Sequence, residues 1–328
     1  MRQTTLLLVN MGGPTGPEQV APYLRAIFAD PAILPLPQPL RALLGRFIVR
    51  RRAPKVRARY QLIGGGSPLA SWTHSQVART EQALADGGSE LRVRHAFRYT
   101  EPTIEQVMAA EAKGGTSRIV LLPLFPHHTD AMTGSIERVA RQAALDQGMA
   151  LDVIGAWAER ADVLALWGSM LKEGLVEAGQ AARVLFVAHG IPLRQVRRGE
   201  DYPQRVLATA RALAERLDED EDEGEDGATE WSLAFQSRVG PVRWTEPYLD
   251  TELRRLAGST APVVLMPLSF VADCLETLYD LDHVAAAELR QAGVERVVRV
   301  PAFNDTAAFG QLLARMATEA IAEADGAS

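Results

Sequence analysis

An internal repeat constrains this chain more than any other feature, because a duplicated segment must fold the same way twice. Leu6-Leu7-Leu8-Val9-Asn10-Met11-Gly12-Gly13-Pro14 recurs as Val184-Leu185-Phe186-Val187-Ala188-His189-Gly190-Ile191-Pro192. Ala96-Phe97 followed by Pro102 is echoed by Ala234-Phe235 followed by Pro241, and Val120-Leu121-Leu122-Pro123-Leu124 by Val264-Leu265-Met266-Pro267-Leu268. Three matches in one order point to two α/β halves of like topology. Apolar runs of strand length alternate with amphipathic stretches of helix length, the pattern of parallel sheets flanked by helices. Strands are expected over 4–9, 92–97, 118–122, 152–156, 184–188, 232–235, 263–268 and 297–300. Helices are expected over 18–28, 73–85, 104–112, 135–146, 162–178, 203–217, 276–291 and 306–324. The halves are placed at 1–155 and 156–328, with the last helix free to pack back on the first half.

The repeat also locates an insertion. Asn10 to Phe97 is 87 positions and Ala188 to Phe235 is 47, so the first half carries about forty extra residues, placed around 30–67. This segment runs through Pro31, Pro35, Pro37 and Pro39 to Leu40, Leu43, Leu44, Phe47 and Ile48, then Arg50-Arg51-Arg52. It reads as a lip over a hydrophobic ligand, as a contact with a membrane surface, or as a helix packed on its own domain.

Charge and cysteine content narrow the function classes. The net charge of −6 is dominated by the acidic run from Asp218 to Asp226, which reads as a solvated loop and carries no clue to partners. No basic stripe with interleaved aromatics supports nucleic-acid binding. One cysteine excludes an internal disulfide and any zinc or iron–sulfur site held by this chain's thiolates alone. A reducing, cytosolic setting is expected. The apolar run Leu6 to Val9 is too short for a signal-peptide core or a membrane span.

Candidate chemistry gathers where strands end, which is where open α/β sheets bind ligands. His189 closes one such strand and is followed by a glycine; it is a ligand or base, or an imidazole that satisfies a loop carbonyl. Glu276 opens the helix after strand 263–268, with Asp280 four residues on and His283 three beyond that. Asp273 and Glu276 also fit a helix-capping pattern. Like charges at i and i+4 destabilise a helix unless a cation lies between them, so the choice is between a cation path and a solvated face. His127 and His128 follow the equivalent strand of the first half, and at most one faces the site. Arg98 and Tyr99 offer a cation and a phenol to an anionic or flat ligand, and Trp244 a wall for an apolar cleft. Gly64-Gly65-Gly66-Ser67-Pro68 lacks the spacing of either nucleotide-binding glycine motif.

Taken together, these motifs resemble the ferrochelatases, enzymes that insert ferrous iron into a porphyrin in haem synthesis. The resemblance runs nearly end to end: Val9 to Pro14, Gly64 to Pro68, Phe97 to Tyr99 with Pro102, and Thr133-Gly134-Ser135 in the first half. In the second it covers Val187 to Pro192, Gln236-Ser237 with Val239-Gly240-Pro241 and Trp244, and Asp273 to Leu278. It implies two Rossmann-like, chelatase-type halves with a porphyrin cleft, and no organic cofactor, with Fe2+ as substrate. His189 corresponds to the family's metal-binding or proton-accepting histidine and Glu276 to its partner carboxylate, with Asp280 as a further metal ligand. Met11, Ser67, Arg98, Tyr99 and Trp244 would bind the macrocycle, and residues around 30–50 would form an apolar lip that could also rest on the inner membrane face. Cys274 stands where some members have histidine, so no role of that histidine is carried over. With one cysteine, no iron–sulfur cluster is expected. The Cys274-Leu275-Glu276-Thr277-Leu278 form is similar to the protoporphyrin-using bacterial group. Coproporphyrin III as substrate, cobalt insertion into a corrin precursor, and a non-catalytic tetrapyrrole or metal carrier are the alternatives.

Overall fold

The computed structural model describes residues 3–179, 181–220 and 229–326. The chain divides into two compact units, Met1–Ala156 with Phe303–Ser328, and Trp157–Ala302. Elements of the first run β1 (Gln3–Asn10), α1 (Val20–Ala29), α2 (Gln38–Leu62), α3 (Leu69–Asp86), β2 (Arg92–Phe97), α4 (Ile104–Lys113), β3 (Thr116–Pro123), α5 (Thr133–Gln147) and β4 (Ala150–Val153). The second holds α6 (Ala161–Ala178), β5 (Arg183–His189), α7 (Leu193–Val196), α8 (Tyr202–Asp220), β6 (Trp231–Gln236), α9 (Leu249–Leu256) and β7 (Val263–Pro267). A π-helix (Glu276–Ala285), α10 (Ala286–Gln291) and β8 (Val297–Arg299) complete it, and α11 (Ala307–Gly326) belongs to the first unit. The acidic run anticipated as a solvated loop falls, from residue 221 on, outside the described residues.

Each unit has a four-stranded, all-parallel sheet, in the order β2-β1-β3-β4 and β6-β5-β7-β8. The two orders are the same under the repeat, so the α/β class and the duplication hold. Central strands are continuous apolar runs because both faces are covered; Leu6, Leu7, Leu8 and Val9 are fully buried, as are Leu185 through Ala188. Local chemistry sets the helix ends. Thr103 and Gln106 form a capping box at the start of α4, and Gly148 ends α5 in the left-handed region.

Several expectations shift. β4 lies at 150–153 rather than 152–156, because its last ladder bond is Ile154 N–H to the Leu121 carbonyl. The second match of the repeat is also re-registered. Phe97 N–H donates to the Pro102 carbonyl and Phe235 N–H to that of Pro247, so Pro102 matches Pro247 and not Pro241. Thr100-Glu101-Pro102 therefore recurs as Thr245-Glu246-Pro247, displaced by a longer loop, and Trp244 occupies the position of Tyr99. The inserted segment is mostly α2, whose Gly45, Val49, Ala53, Val56 and Tyr60 are buried while Leu40, Leu43, Leu44 and Phe47 are exposed. No helix among the described residues is long and apolar enough to cross a membrane.

Candidate functional site

In the second unit, His189 is the last residue of β5 and pairs in register with Gln236 at the end of β6. Its Nδ1 lies 2.6 Å from the Gly190 carbonyl. A carbonyl only accepts, so Nδ1 carries the proton and the neutral ring keeps its lone pair on Nε2. The bland reading, a histidine satisfying a loop carbonyl, thus holds for one nitrogen and leaves the other for chemistry. Three bonds fix the backbone beneath the ring. Tyr202 Oη donates to the His189 carbonyl at 2.8 Å, and His189 N–H donates to Ser269 Oγ at 3.2 Å. Because the Tyr202 proton is committed, Ser269 is the donor in the 2.7 Å contact between the two hydroxyls. Burial pushes the Tyr202 phenol well above its ordinary value, so it stays a donor.

The loop after His189 is clasped by the loop after β6. Ile191 N–H donates to Thr245 Oγ1, Thr245 N–H to the Ile191 carbonyl, and Gly190 N–H to the Gln236 carbonyl. A Cβ at Gly190 would lie 3.0 Å from that carbonyl and 3.2 Å from Thr245 Oγ1. Gly12 has the same relation to Thr100, and adds a φ of +81°. Trp244 sits edge-on to His189 at 6.4 Å between ring centroids, its indole N–H donating to the Val239 carbonyl.

Glu276 begins the π-helix, whose i→i+5 bonds give each turn more than four residues. The buried row accordingly steps by four, through Thr277, Leu281, Ala285 and Leu289. Glu276 and Asp280 form the adjoining, half-buried row. His283 does not continue it, contrary to the α-helical expectation. The wide turn puts His283 in the row of Tyr279, 6.3 Å away between ring centroids. Nor does Asp273 cap the helix. The N-cap is Leu275 with no side-chain cap bond, and Asp273 Oδ1 accepts from Arg299 Nη1 at 2.8 Å. Arg299 Nε also binds Asp282 Oδ1 at 2.6 Å, so one cation at the end of β8 ties the loop before the π-helix to the helix itself. The carboxylate of Glu276 faces the buried Cys274 thiol, which burial first, and then that carboxylate, hold well above the usual thiol value. Gln236, paired with His189 in the ladder, donates its side-chain amide to the Glu276 carbonyl at 3.4 Å. His189 and Glu276 therefore share the C-terminal edge of one sheet. Among the described residues no three His, Cys, Asp or Glu side chains converge as a metal-holding group.

In the first unit, Met11, Ser67, Arg98 and Tyr99 surround the ends of β1 and β2. Tyr99 N–H donates to the Met11 carbonyl, and Ser67 N–H to that of Pro14. The polar heads of Arg98 and Tyr99 converge on Asp30, which sequence reasoning used only as a boundary. Asp30 Oδ2 accepts from Ser135 Oγ at 2.6 Å, Arg98 Nη2 at 2.7 Å and Tyr99 Oη at 3.0 Å, while Arg98 Nε donates to Ser135 Oγ. Tyr99 is buried, and burial, reinforced by the charge of Asp30, lifts its phenol far above the ordinary value. Its hydroxyl is thus engaged inside the protein. His127 is buried, whereas His128 is partly exposed beside Asp130 at 3.5 Å, so the two face different ways.

Two like units, each a four-stranded parallel sheet flanked by helices, make a fold that solved chelatase structures share. SirB from Bacillus subtilis with Fe3+ matches with a TM-score of 0.55 at 15% identity, over 99% of this chain and 98% of that one. Sirohydrochlorin chelatase SirB from Bacillus subtilis subspecies spizizenii in complex with cobalt gives 0.54 at 14% identity, over 99% and 98%. These likenesses are of fold alone; sequence carries the identity further. A model of the ferrochelatase family matches residues 3–321. The ferrochelatase of Geotalea daltonii is 36% identical over 322 residues, covering 96% of this chain and 97% of that protein. That of Caulobacter vibrioides is 33% identical, covering 99% and 92%, and that of Synechococcus elongatus 34%, covering 98% and 83%. The chain belongs to the ferrochelatase family, metal chelatases of haem synthesis.

Proposed function

We propose that this enzyme inserts ferrous iron into protoporphyrin IX, with His189 Nε2 accepting the pyrrole protons. The observation that carries the assignment is the Nδ1 contact with the Gly190 carbonyl, which leaves Nε2 as the ring's basic atom. A free porphyrin loses two inner protons as the metal enters, so a base must act beside the ring. Imidazole as a side-chain type changes charge near neutral pH. Glu276, assisted by Asp280, guides the ion or an emerging proton; imidazole and carboxylate hold ferrous iron without the tight grip of thiolates. Ring distortion that bares the nitrogen lone pairs must be driven by contacts elsewhere on the macrocycle. Those contacts fall to Met11, Ser67, Arg98, Tyr99 and Trp244, with Tyr99 acting through its ring rather than its engaged hydroxyl. No organic cofactor and no iron–sulfur cluster is assigned.

The tetrapyrrole is chosen over coproporphyrin III on the sequence around Glu276 alone. A competition assay decides it: with equimolar protoporphyrin IX and coproporphyrin III and limiting iron, protohaem forms first under this proposal. Preferential formation of coprohaem would overturn the substrate while leaving the reaction. The exposed apolar row of α2 further supports peripheral contact with a membrane, where an apolar porphyrin would be at hand.

A further inference from the structure

We propose that the groove between α1 and α2 binds the phosphate groups of anionic phospholipids; this rests on the peripheral membrane contact proposed above and names its lipid. The groove has a volume of about 340 Å³, with Ala21, Val49, Ala53 and Pro54 lining it between four guanidinium groups, those of Arg25, Arg46, Arg50 and Arg57. Arg57 Nε is held by the Pro17 carbonyl at 2.9 Å, which fixes one side chain in place. Arg25, Arg46 and Arg50 make no ion pair or hydrogen bond among the described residues. Nothing nearby in sequence neutralises Arg46, Arg50 and Arg57. No Asp or Glu occurs between Asp30 and Glu81, and every charged side chain of α2 is Arg or Lys. Like charges gathered around small apolar residues repel one another, and a phosphate bound by guanidinium forks relieves that repulsion with charge-assisted, bidentate bonds.

The neighbouring row selects the source of the phosphate. Arg46, Ala53 and Arg57 lie along one face of the helix, and Leu43, Phe47 and Leu40 along the next, 68%, 55% and 56% exposed. Arg51 lies 4.9 Å from the centre of the Phe47 ring, extending positive charge beyond the apolar row. A helix with an arginine row beside an exposed apolar row seats its apolar side chains among acyl chains and its cations at headgroup depth. A free phosphate needs only the arginines and gives no use to the apolar row.

Vesicle sedimentation of the full chain tests this. Wild-type protein is compared with Arg46→Gln/Arg50→Gln and with Leu43→Ser/Phe47→Ser, on phosphatidylcholine vesicles with and without phosphatidylglycerol, with unchanged thermal melts as the control for folding. Wild type should partition onto phosphatidylglycerol vesicles, and the double arginine variant should lose about 30-fold in partition, about fivefold for each cation removed from an anionic surface. Equal partition onto both vesicle types, or loss only in the leucine and phenylalanine variant, would retain the membrane contact and overturn the phosphate groove. No partition of wild type onto either would overturn the membrane contact itself. Saturable binding of inorganic phosphate that Arg46→Gln/Arg50→Gln abolishes, without vesicle binding, would assign the groove to a free phosphate and overturn the lipid.

Discussion

Replacing Arg299 by methionine perturbs the π-helix while leaving Glu276 and Asp280 in the chain. The guanidinium is 13% exposed and bridges Asp273, 9% exposed, and Asp282, 36% exposed. Removing one partner of a buried ion pair leaves a charge in low dielectric and costs about 3–5 kcal/mol. That figure applies to Asp273. The Asp282 contact is screened by solvent and adds less than about 1 kcal/mol. Urea denaturation should therefore show the second unit destabilised by about 3–6 kcal/mol, a large share of the roughly 5–15 kcal/mol typical of a domain. Adding Asp273→Asn should restore part of the loss, since the stranded carboxylate is then neutral, and the two changes should be non-additive. Iron insertion should fall in kcat with porphyrin affinity unchanged. General acid–base groups contribute about 10²–10⁴-fold, and a carboxylate row that is displaced but present should lose less, about tenfold. A loss below about 1 kcal/mol would refute the reading that Arg299 ties the loop to the π-helix, and the full loss with kcat intact would show that this tie does not position Glu276 and Asp280 for the reaction.

Tyr202→Phe should cost about 1–3 kcal/mol, since it strands the His189 carbonyl and frees Ser269; kcat should fall more than KM rises, and Ser269→Ala should add little on top. Glu111 gives a pH signature in the first unit. Burial acts to raise its pKa, but hydrogen bonds from Thr5 and Thr116 and the charge and hydrogen bond of Arg94 outweigh it and hold the carboxyl below its usual range. A depressed carboxylate stabilises the fold above its unfolded value of about 4.3 and loses that contribution as pH falls through the lower folded value. Thermal melts at pH 7 and pH 4 should therefore differ less in Glu111→Gln than in wild type.

Much of the fold was legible because buried parallel strands are long apolar runs that cannot be spent elsewhere. All eight expected strands occur, and the repeat anticipated the matching sheet orders. What escaped had weak or misleading local patterns. The α9 helix is only eight residues long, with Leu249, Leu253 and Leu256 as its apolar row. The step of four from Thr277 to Leu289 was present in the sequence, but read with α-helical geometry it placed His283 on the wrong row. That His189 and Glu276 share one sheet edge was visible because one closes a strand and the other follows a strand end, where open α/β sheets bind ligands. Tyr202, Ser269, Arg299 and Asp30 were not read as partners because each acts through a contact with a residue distant in sequence. Ser269 had the better signal, lying just past the end of β7.

The most direct measurement is single-turnover iron insertion by His189→Ala and Glu276→Gln, followed as porphyrin absorbance converts to haem, with porphyrin affinity determined in parallel. Both variants should bind porphyrin with near wild-type affinity and insert iron at least about 100-fold more slowly, the low end of what a positioned base supplies. Wild-type single-turnover rates in both would contradict the assignment, and weakened binding with intact insertion would make His189 and Glu276 residues that hold the macrocycle rather than act on it.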